Sequence, residues 1–347
     1  MSLTGPALAE GPETARIRAF LDGAGTDVGR GNVGSGDGGS GDGGVGVTLP
    51  VGDDAAAFRP PDGAQVVVSC DASVEGVHFR REWMTWEMIG YRAAASALSD
   101  LAAMAATPVG LVVAAALPPE LDVEIAAALG RGVGEIAARA GAEILGGDLV
   151  ASPGPAFLDL TVIGTAVAPT TRGGARPGDE LWVTGELGAA AAALRDLERG
   201  LEPEPRARRA FDRPRPRIDE MLWLRDRVPI HAAIDLSDGV MRDARHLAAA
   251  SGVALKVEAD RLPAAPVLDG FRDAPAGERL LLAGGEDYEL LLAVPAGAMR
   301  GTERAFAVAF GLPLTRIGSA HEGEGLTVSG RSHAALLGGF DHFEAGP

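Results

Sequence analysis

Hydrophobic and polar positions along this chain alternate between two periods. Val66, Val67 and Val68 form a β-branched run within residues 65–69, just ahead of Asp71, and residues 111–117 and 157–168 predict further strands. Between them lie Ala- and Leu-rich segments of helical length, at 86–106 and 123–140. A short helix is predicted over 13–21, where Ile17, Phe20 and Leu21 supply the apolar positions. The second half starts the alternation again, with a strand over 180–184, then Gly185 and an Ala-rich helix. Ile234 precedes Asp235, and Ser237 or Asp238 can cap a helix over 240–250. Strands follow at 253–257, 288–294 and 314–318, with a helix at 304–310. Residues 199–217, rich in Arg, Pro and Glu, predict an exposed connection. The fold class expected is α/β (α+β), two halves each built on a mixed sheet with packed helices. The division expected is 1–46, a helix followed by a Gly-rich flexible segment; 47–168; and 169–347. The Gly-rich stretch at 23–46 lacks the apolar surface needed to offset its ordering entropy.

Composition narrows the function. The net charge of −17 disfavours a nucleic-acid partner, because phosphate backbones require clustered cations. No apolar stretch reaches the roughly 18 residues of a membrane span; the run 110–117 is cut short by Pro118 and Pro119. No basic and apolar leader precedes residue 13, and the single cysteine fits a reducing compartment, so a cytoplasmic location is expected. Lys256 is the only lysine, which excludes a phosphate loop of the G-x-x-x-x-G-K-[S/T] kind. Phosphates bound here would be neutralised by metals, backbone N–H groups and arginines.

The candidate chemistry is carried by aspartates beside Gly or Ser in segments that read as turns. They are Gly52-Asp53-Asp54-Ala55, Ser69-Cys70-Asp71, Ser99-Asp100-Leu101, Gly146-Gly147-Asp148 and Asp235-Leu236-Ser237-Asp238-Gly239, with Gly284-Gly285-Glu286-Asp287-Tyr288 following. Mg²⁺ takes oxygen ligands, usually one or two carboxylates plus substrate phosphates. Singly, each aspartate also suits a turn or a helix cap. Three resist that explanation: Asp100 inside a long apolar helix, Asp71 after a buried strand, and Asp148 after a glycine pair that lets backbone approach a ligand. Cys70 reads as a small buried residue at a strand end, or as a nucleophile whose thiolate the acidic surroundings disfavour. Gly185-Glu186-Leu187-Gly188 reads as a strand-to-helix turn, and Trp83 and Trp86 as core, interface or ligand-stacking residues.

In order and wording these segments, together with Val74-Glu75-Gly76-Val77-His78-Phe79, residues 97–106, Arg172-Gly173-Gly174-Ala175-Arg176-Pro177-Gly178-Asp179 and Gly339-Phe340-Asp341-His342-Phe343, resemble the thiamine-monophosphate kinase family of the aminoimidazole-ribonucleotide-synthetase-like superfamily. The resemblance covers about 290 residues and implies the two-domain fold of that superfamily. It implies ATP-dependent phosphorylation of thiamine monophosphate to thiamine diphosphate, several Mg²⁺ ions, and a homodimer paired through the 47–168 domain, which would also bind ATP and metal. The metal ligands implied are Asp54, Asp71, Asp100, Asp148, Asp235 and Asp238, assisted by Ser69 and the backbone of Cys70. Gly147, Asp148, Arg172 and Ser237 would bind ATP, and His78, Glu286 and Phe340 would lie on the thiamine side. Glu286 is either a partner for the thiazolium charge or an N–H acceptor in its turn. The chain departs from the family pattern at Cys70, Leu149 and Ala283, where Thr, Thr and Ser are usual; no carboxylate is lost. The acceptor is an ionised phosphate monoester, so no general base is required and transfer is expected to be direct. Two related activities fit less well. A selenophosphate synthetase needs an early Cys with Lys, and amidine-forming synthetases carry an Asp-Gly-Val-Gly-Thr-Lys segment where this chain reads Asp71-Ala72-Ser73-Val74-Glu75-Gly76.

Overall fold

The computed structural model describes residues 11–26, 46–51, 55–119, 122–271 and 274–330. Asp54 and Phe340 therefore lie outside the described residues, as do most of the Gly-rich stretch and Asp53. The chain divides into two compact units, with the change at Pro169/Thr170 and with Ala102–Ala105 counted in the second.

In the first unit α1 (Pro12–Gly23) is followed by a small antiparallel ribbon of β1 (Gly46–Leu49) and β2 (Ala57–Arg59), then β3 (Gln65–Val74). Next come α2 (Trp86–Ala103), β4 (Thr107–Leu117), α3 (Val123–Arg139), β5 (Glu143–Ala151) and β6 (Phe157–Ala166). The four-stranded sheet runs β3-β6-β4-β5. Only β4 and β5 are parallel, because α3 returns the chain between them; β6 pairs antiparallel with β3 and β4.

Side-chain alternation makes the two faces of this sheet unlike. On β6, Leu158, Leu160 and Val162 are fully buried while Phe157 is exposed and Asp159, Thr161 and Ile163 are half-buried. On β3, Val66, Val68 and Cys70 are exposed, whereas Val67 and Ser73 are buried. The covered face packs against helices. α2 is apolar around most of its circumference, with Ala94, Ala95, Ala97, Leu98 and Leu101 all buried. α3 starts at Asp122, whose carboxylate accepts from Glu124 N at 3.1 Å and Ile125 N at 3.2 Å. Its glycines set the helix spacing. A Cβ on Gly130 would overlap the Phe20 carbonyl oxygen of α1, and one on Gly132 the Glu87 carbonyl oxygen of α2. Both neighbours are backbone, so neither can yield cheaply.

The second unit contains β7 (Glu180–Thr184), α4 (Ala189–Glu198), α5 (Pro205–Asp212), α6 (Ile218–Arg225), β8 (Ala232–Asp235), α7 (Val240–Ser251) and β9 (Ala254–Glu258). It continues with α8 (Pro275–Leu282), β10 (Leu290–Val294), α9 (Thr302–Phe310), β11 (Leu314–His321) and β12 (Gly325–Ser329). Its sheet order is β12-β9-β11-β7-β10-β8, antiparallel except for β12 with β9. One core joins α7 and α8 to the sheet through Val240, Leu247, Leu281, Val183, Leu255 and Ile317. A second cluster stacks Trp223 of α6 edge-on against Phe306 and Phe310 of α9, with ring centroids 5.9 to 6.1 Å apart.

Two expectations require correction. Residues 199–217 are not an exposed connection: α5 lies within them, and Ala207, Phe211, Asp212 and Arg217 are buried. Neither Ser237 nor Asp238 caps α7 with its side chain; Gly239 occupies the N-cap position.

Candidate active site

In the first unit the acidic residues sit on regular structure rather than in turns. Asp71 lies in β3, Asp148 in β5 and Asp100 in α2. Ser69 and Asp71, two apart on β3, point to the same face. Ser96 and Asp100, four apart on α2, share a helix face. These two pairs meet. Ser69 Oγ donates to Asp100 Oδ2 at 2.5 Å, and Ser96, whose hydroxyl donates to the Ala93 carbonyl oxygen at 2.9 Å, lies beside the Asp71 carboxylate. Burial pushes the Asp71 carboxyl above its usual range, and the Asp100 charge adds to the rise; Ser96 and His78 oppose it. His78 Nδ1 accepts from Val74 N at 3.1 Å, so a neutral ring carries its proton on Nε2.

Asp148 is on the other face. It pairs with Ala114 of β4, which pairs with Asp159 of β6, whereas Asp71 shares its row with Leu160 and Val113. The glycine pair before Asp148 divides in purpose. A Cβ on Gly147 would overlap the Val113 carbonyl oxygen, while one on Gly146 would meet nothing within 4 Å. It is Gly146, on the face of Asp148, that leaves open space. Cys70 is neither buried nor at a strand end, contrary to expectation. Its thiol donates to Asp159 Oδ1 at 2.7 Å, and that bond raises it above the usual thiol range, so the thiolate is disfavoured as expected.

In the second unit two segments run side by side. Glu286 N donates to the Ser237 carbonyl oxygen at 2.7 Å, Tyr288 N to that of Leu236 at 2.9 Å, and Leu236 N to that of Glu289 at 2.7 Å. This double strap holds Asp235, Ser237 and Asp238 beside Glu286. Asp235 is buried and Asp238 half-buried. Asp238 also lies 3.5 Å from Arg242 Nε. Asp243, one turn into α7, reaches back to accept from Asp238 N at 3.1 Å. Burial, then the charges of Asp235 and Asp238, push Asp243 up to about 8. Asp287 points away from that cluster, accepting from Gly188 N at 2.9 and 3.0 Å at the start of α4. The 185–188 segment is thus a strand-to-helix turn, as expected. Arg172 is exposed, and its carbonyl oxygen accepts from Ser251 Oγ at 3.0 Å. Trp83 lies under the Arg80 guanidinium, 4.6 Å from carbon to ring centroid.

Among the described residues no group of three or more His, Cys, Asp or Glu side chains is gathered to hold a metal ion by itself. The acidic groups lie near one another without converging on one point, Asp71 near Asp100, and Asp243 near Asp235 and Asp238. Their donors are all oxygens, and the like charges within each set are mutually unfavourable. Both facts suit a hard divalent cation that completes its shell with water and phosphate. Ser96, Asp159 and Asp243 were not singled out from sequence. Ser96 is signalled by its four-residue spacing to Asp100, and Asp243 by its place in the first turn of a helix.

Comparison with known proteins defines the class first. The AIR synthase related protein N-terminal domain matches residues 52–166 and the corresponding C-terminal domain matches 176–331. Among curated proteins, the thiamine-monophosphate kinase of Caulobacter vibrioides is 35% identical over 290 residues, covering 81% of either chain. That of Mycobacterium tuberculosis is 39% identical over 264 residues, covering 72% of this chain and 77% of its own. Among solved structures, thiamine-monophosphate kinase from Stenotrophomonas maltophilia superposes with a TM-score of 0.75 at 36% identity, covering 82% of this chain and 92% of its own. AaThiL complexed with AMPPCP and TMP has a TM-score of 0.72 at 29% identity, covering 84% of this chain and 92% of its own. Hydrogenase maturation protein HypE, at 20% identity and a TM-score of 0.66, shares the fold. The chain belongs to the thiamine-monophosphate kinase family of AIR synthase related proteins, and it is a kinase.

Proposed function

We propose that this enzyme transfers the γ-phosphate of ATP to thiamine monophosphate, giving thiamine diphosphate, by direct in-line displacement. The observation that carries the reading is the match, over 84% of the chain, to a structure complexed with AMPPCP and TMP. The arrangement of acidic groups supports it. The ligands assigned to Mg²⁺ are Asp71 and Asp100, with Ser69 and the Cys70 backbone, then Asp148, Asp235 and Asp238, together with Asp54. When bound, Mg²⁺ would offset the mutual repulsion of the two phosphate groups and the carboxylates around them.

The side chains have limited chemical work. A phosphate monoester has its second pKa near about 6, so the attacking oxygen is largely unprotonated at neutral pH. No residue need remove a proton, and none of the assigned groups is poised as a general base. The fold instead fixes positions: Ser69 holds the carboxylate of Asp100, and the 286–289 strap holds the segment that carries Asp235 and Asp238. Gly147, Asp148, Arg172 and Ser237 are assigned to ATP. His78, Glu286 and Phe340 are assigned to the thiamine side, with Glu286 facing the thiazolium cation.

A homodimer fits the uncovered face of the first-unit sheet. Val66, Val68, Val150 and Phe157 are all exposed there. Exposed apolar side chains of this size on an otherwise acidic protein suit a second copy of the chain. No helix among the described residues is long and apolar enough to cross a membrane, and the single cysteine suits a reducing cytoplasm. A coupled assay of ADP release with thiamine monophosphate, thiamine and an aminoimidazole ribonucleotide precursor tests the assignment. Release with thiamine monophosphate alone supports it; release with the precursor alone rejects it.

A further inference from the structure

We infer that Arg217 is a positioning residue for this phosphoryl transfer: paired with Glu289, it holds the 286–289 strap in register beside Asp235 and Asp238. The inference rests on the reading above and deepens it.

The strap is a costly conformation. Glu286 and Tyr288 both have positive φ, 70° and 50°, in the left-handed region that non-glycine residues avoid. Such backbone persists only where the surroundings over-determine it. Two anchors do so on alternate residues, the half-buried Asp287 and the buried Glu289. Asp287 is tied to Gly188 N. Glu289 receives Arg217 Nε at 2.7 Å and Nη2 at 2.5 Å, a two-point fork, and Thr184 Oγ1 at 2.7 Å. Thr184 Oγ1 in turn accepts from Leu290 N at 2.9 Å. Arg217 is itself fixed by Glu220 at 3.2 Å. The end of β7 is shaped around this pair, since a Cβ on Gly185 would overlap the Glu289 carboxylate.

The geometry has a direct consequence for the site. The Glu289 main-chain oxygen accepts from Leu236 N at 2.7 Å, one residue from Asp235. A shift of Glu289 therefore moves the Asp235–Asp238 segment and Glu286 together. Buried ion pairs contribute little net stability compared with apolar groups of similar volume, and their better-attested use is to specify one arrangement. Burial raises the Glu289 carboxyl and the Arg217 guanidinium opposes that rise, so neither charge is sheltered there without the other.

The test compares wild type, Arg217→Lys and the double variant Arg217→Met/Glu289→Gln. The double variant avoids leaving a buried charge alone, and lysine cannot reproduce the two-point fork. Three quantities are read: melting temperature, amide exchange at Leu236, Glu286 and Tyr288, and kcat/KM for thiamine monophosphate. The expected result is a double variant that melts near wild type while the three amides exchange at least about tenfold faster. Its kcat/KM is expected to fall at least about tenfold, with Arg217→Lys intermediate. Wild-type exchange at those amides, or unchanged kcat/KM, in a folded double variant overturns the inference. If the double variant does not fold, the same readings on Arg217→Lys decide. A wild type inert toward thiamine monophosphate sinks the functional reading instead, and the exchange data still decide whether Arg217 holds the strap.

Discussion

Ser69 of β3 and Asp100 of α2, thirty-one residues apart, are joined by a 2.5 Å hydrogen bond from hydroxyl to carboxylate. The bond fixes an acidic group inside an apolar helix against the strand that carries Asp71. Ser69→Ala is expected to lower stability by about 1.5–3 kcal/mol, the usual net worth of a hydrogen bond to a charged group. The larger effect falls on turnover, because the Asp100 carboxylate loses its orientation and the proposed metal site loses the Ser69 oxygen. Thermal melts and steady-state kinetics on one preparation separate the two. A variant with full activity would mean that Asp100 needs no such support.

The Asp243 carboxyl, raised from 3.8 to about 8, links stability to pH. Between those values the folded protein holds a proton that the unfolded chain has released. Stability from this group is therefore complete below 3.8 and is lost as pH rises through about 8. The slope is at most about 1.4 kcal/mol per pH unit. Asp243→Asn should flatten it, and saturating Mg²⁺ should shift the loss to lower pH by offsetting the charge of Asp235 and Asp238. Melting temperatures from pH 5 to 9 with and without metal give the answer. A wild-type slope that survives Asp243→Asn would assign it elsewhere.

Helix packing in the first unit depends on Gly132, where α3 meets the backbone of α2 at Glu87. Gly132→Ala adds one methyl group to a contact between main chains. Overpacking of this kind costs about 1–3 kcal/mol. Alanine would ordinarily favour a helix, so a destabilised variant in denaturant unfolding isolates the packing term. A stabilised one would show that the helices can separate.

Cys70 donates to Asp159 at 2.7 Å, which keeps the thiol protonated. Alkylation of the native protein at pH 8 is expected to be slow for so exposed a cysteine. Asp159→Asn should accelerate it several-fold, and Cys70→Thr should retain activity, since the family assignment uses only the Cys70 backbone. Loss of activity in Cys70→Thr would place the sulfur in the chemistry.

Local pattern carried most elements into view and few relationships between them. The strand over 180–184 and the helices at 86–106 and 123–140 are legible because each is an apolar-rich run of strand or helix length. Asp71 and Asp148 misled, because Ser and Gly beside an aspartate read as a turn when both lie within strands. Their opposite facing is set by register across β6 and β4, which no local window contains. Arg217 was lost in a charged segment because its partner Glu289 is 72 residues away. Asp243 escaped notice because helical acidic residues are ordinarily solvated. Asp54 and Phe340 lie outside the described residues, so their assignment stands on the resemblance.

The most direct measurement of the central claim is ADP release driven by thiamine monophosphate and Mg²⁺-ATP, comparing wild type with Asp71→Asn and Asp148→Asn. The account predicts turnover by wild type with thiamine monophosphate and not with thiamine. It predicts a fall of roughly a hundredfold or more in each variant, at preserved melting temperature, as expected when a carboxylate positioning the metal and phosphates is lost. Near-normal turnover in both variants would contradict it.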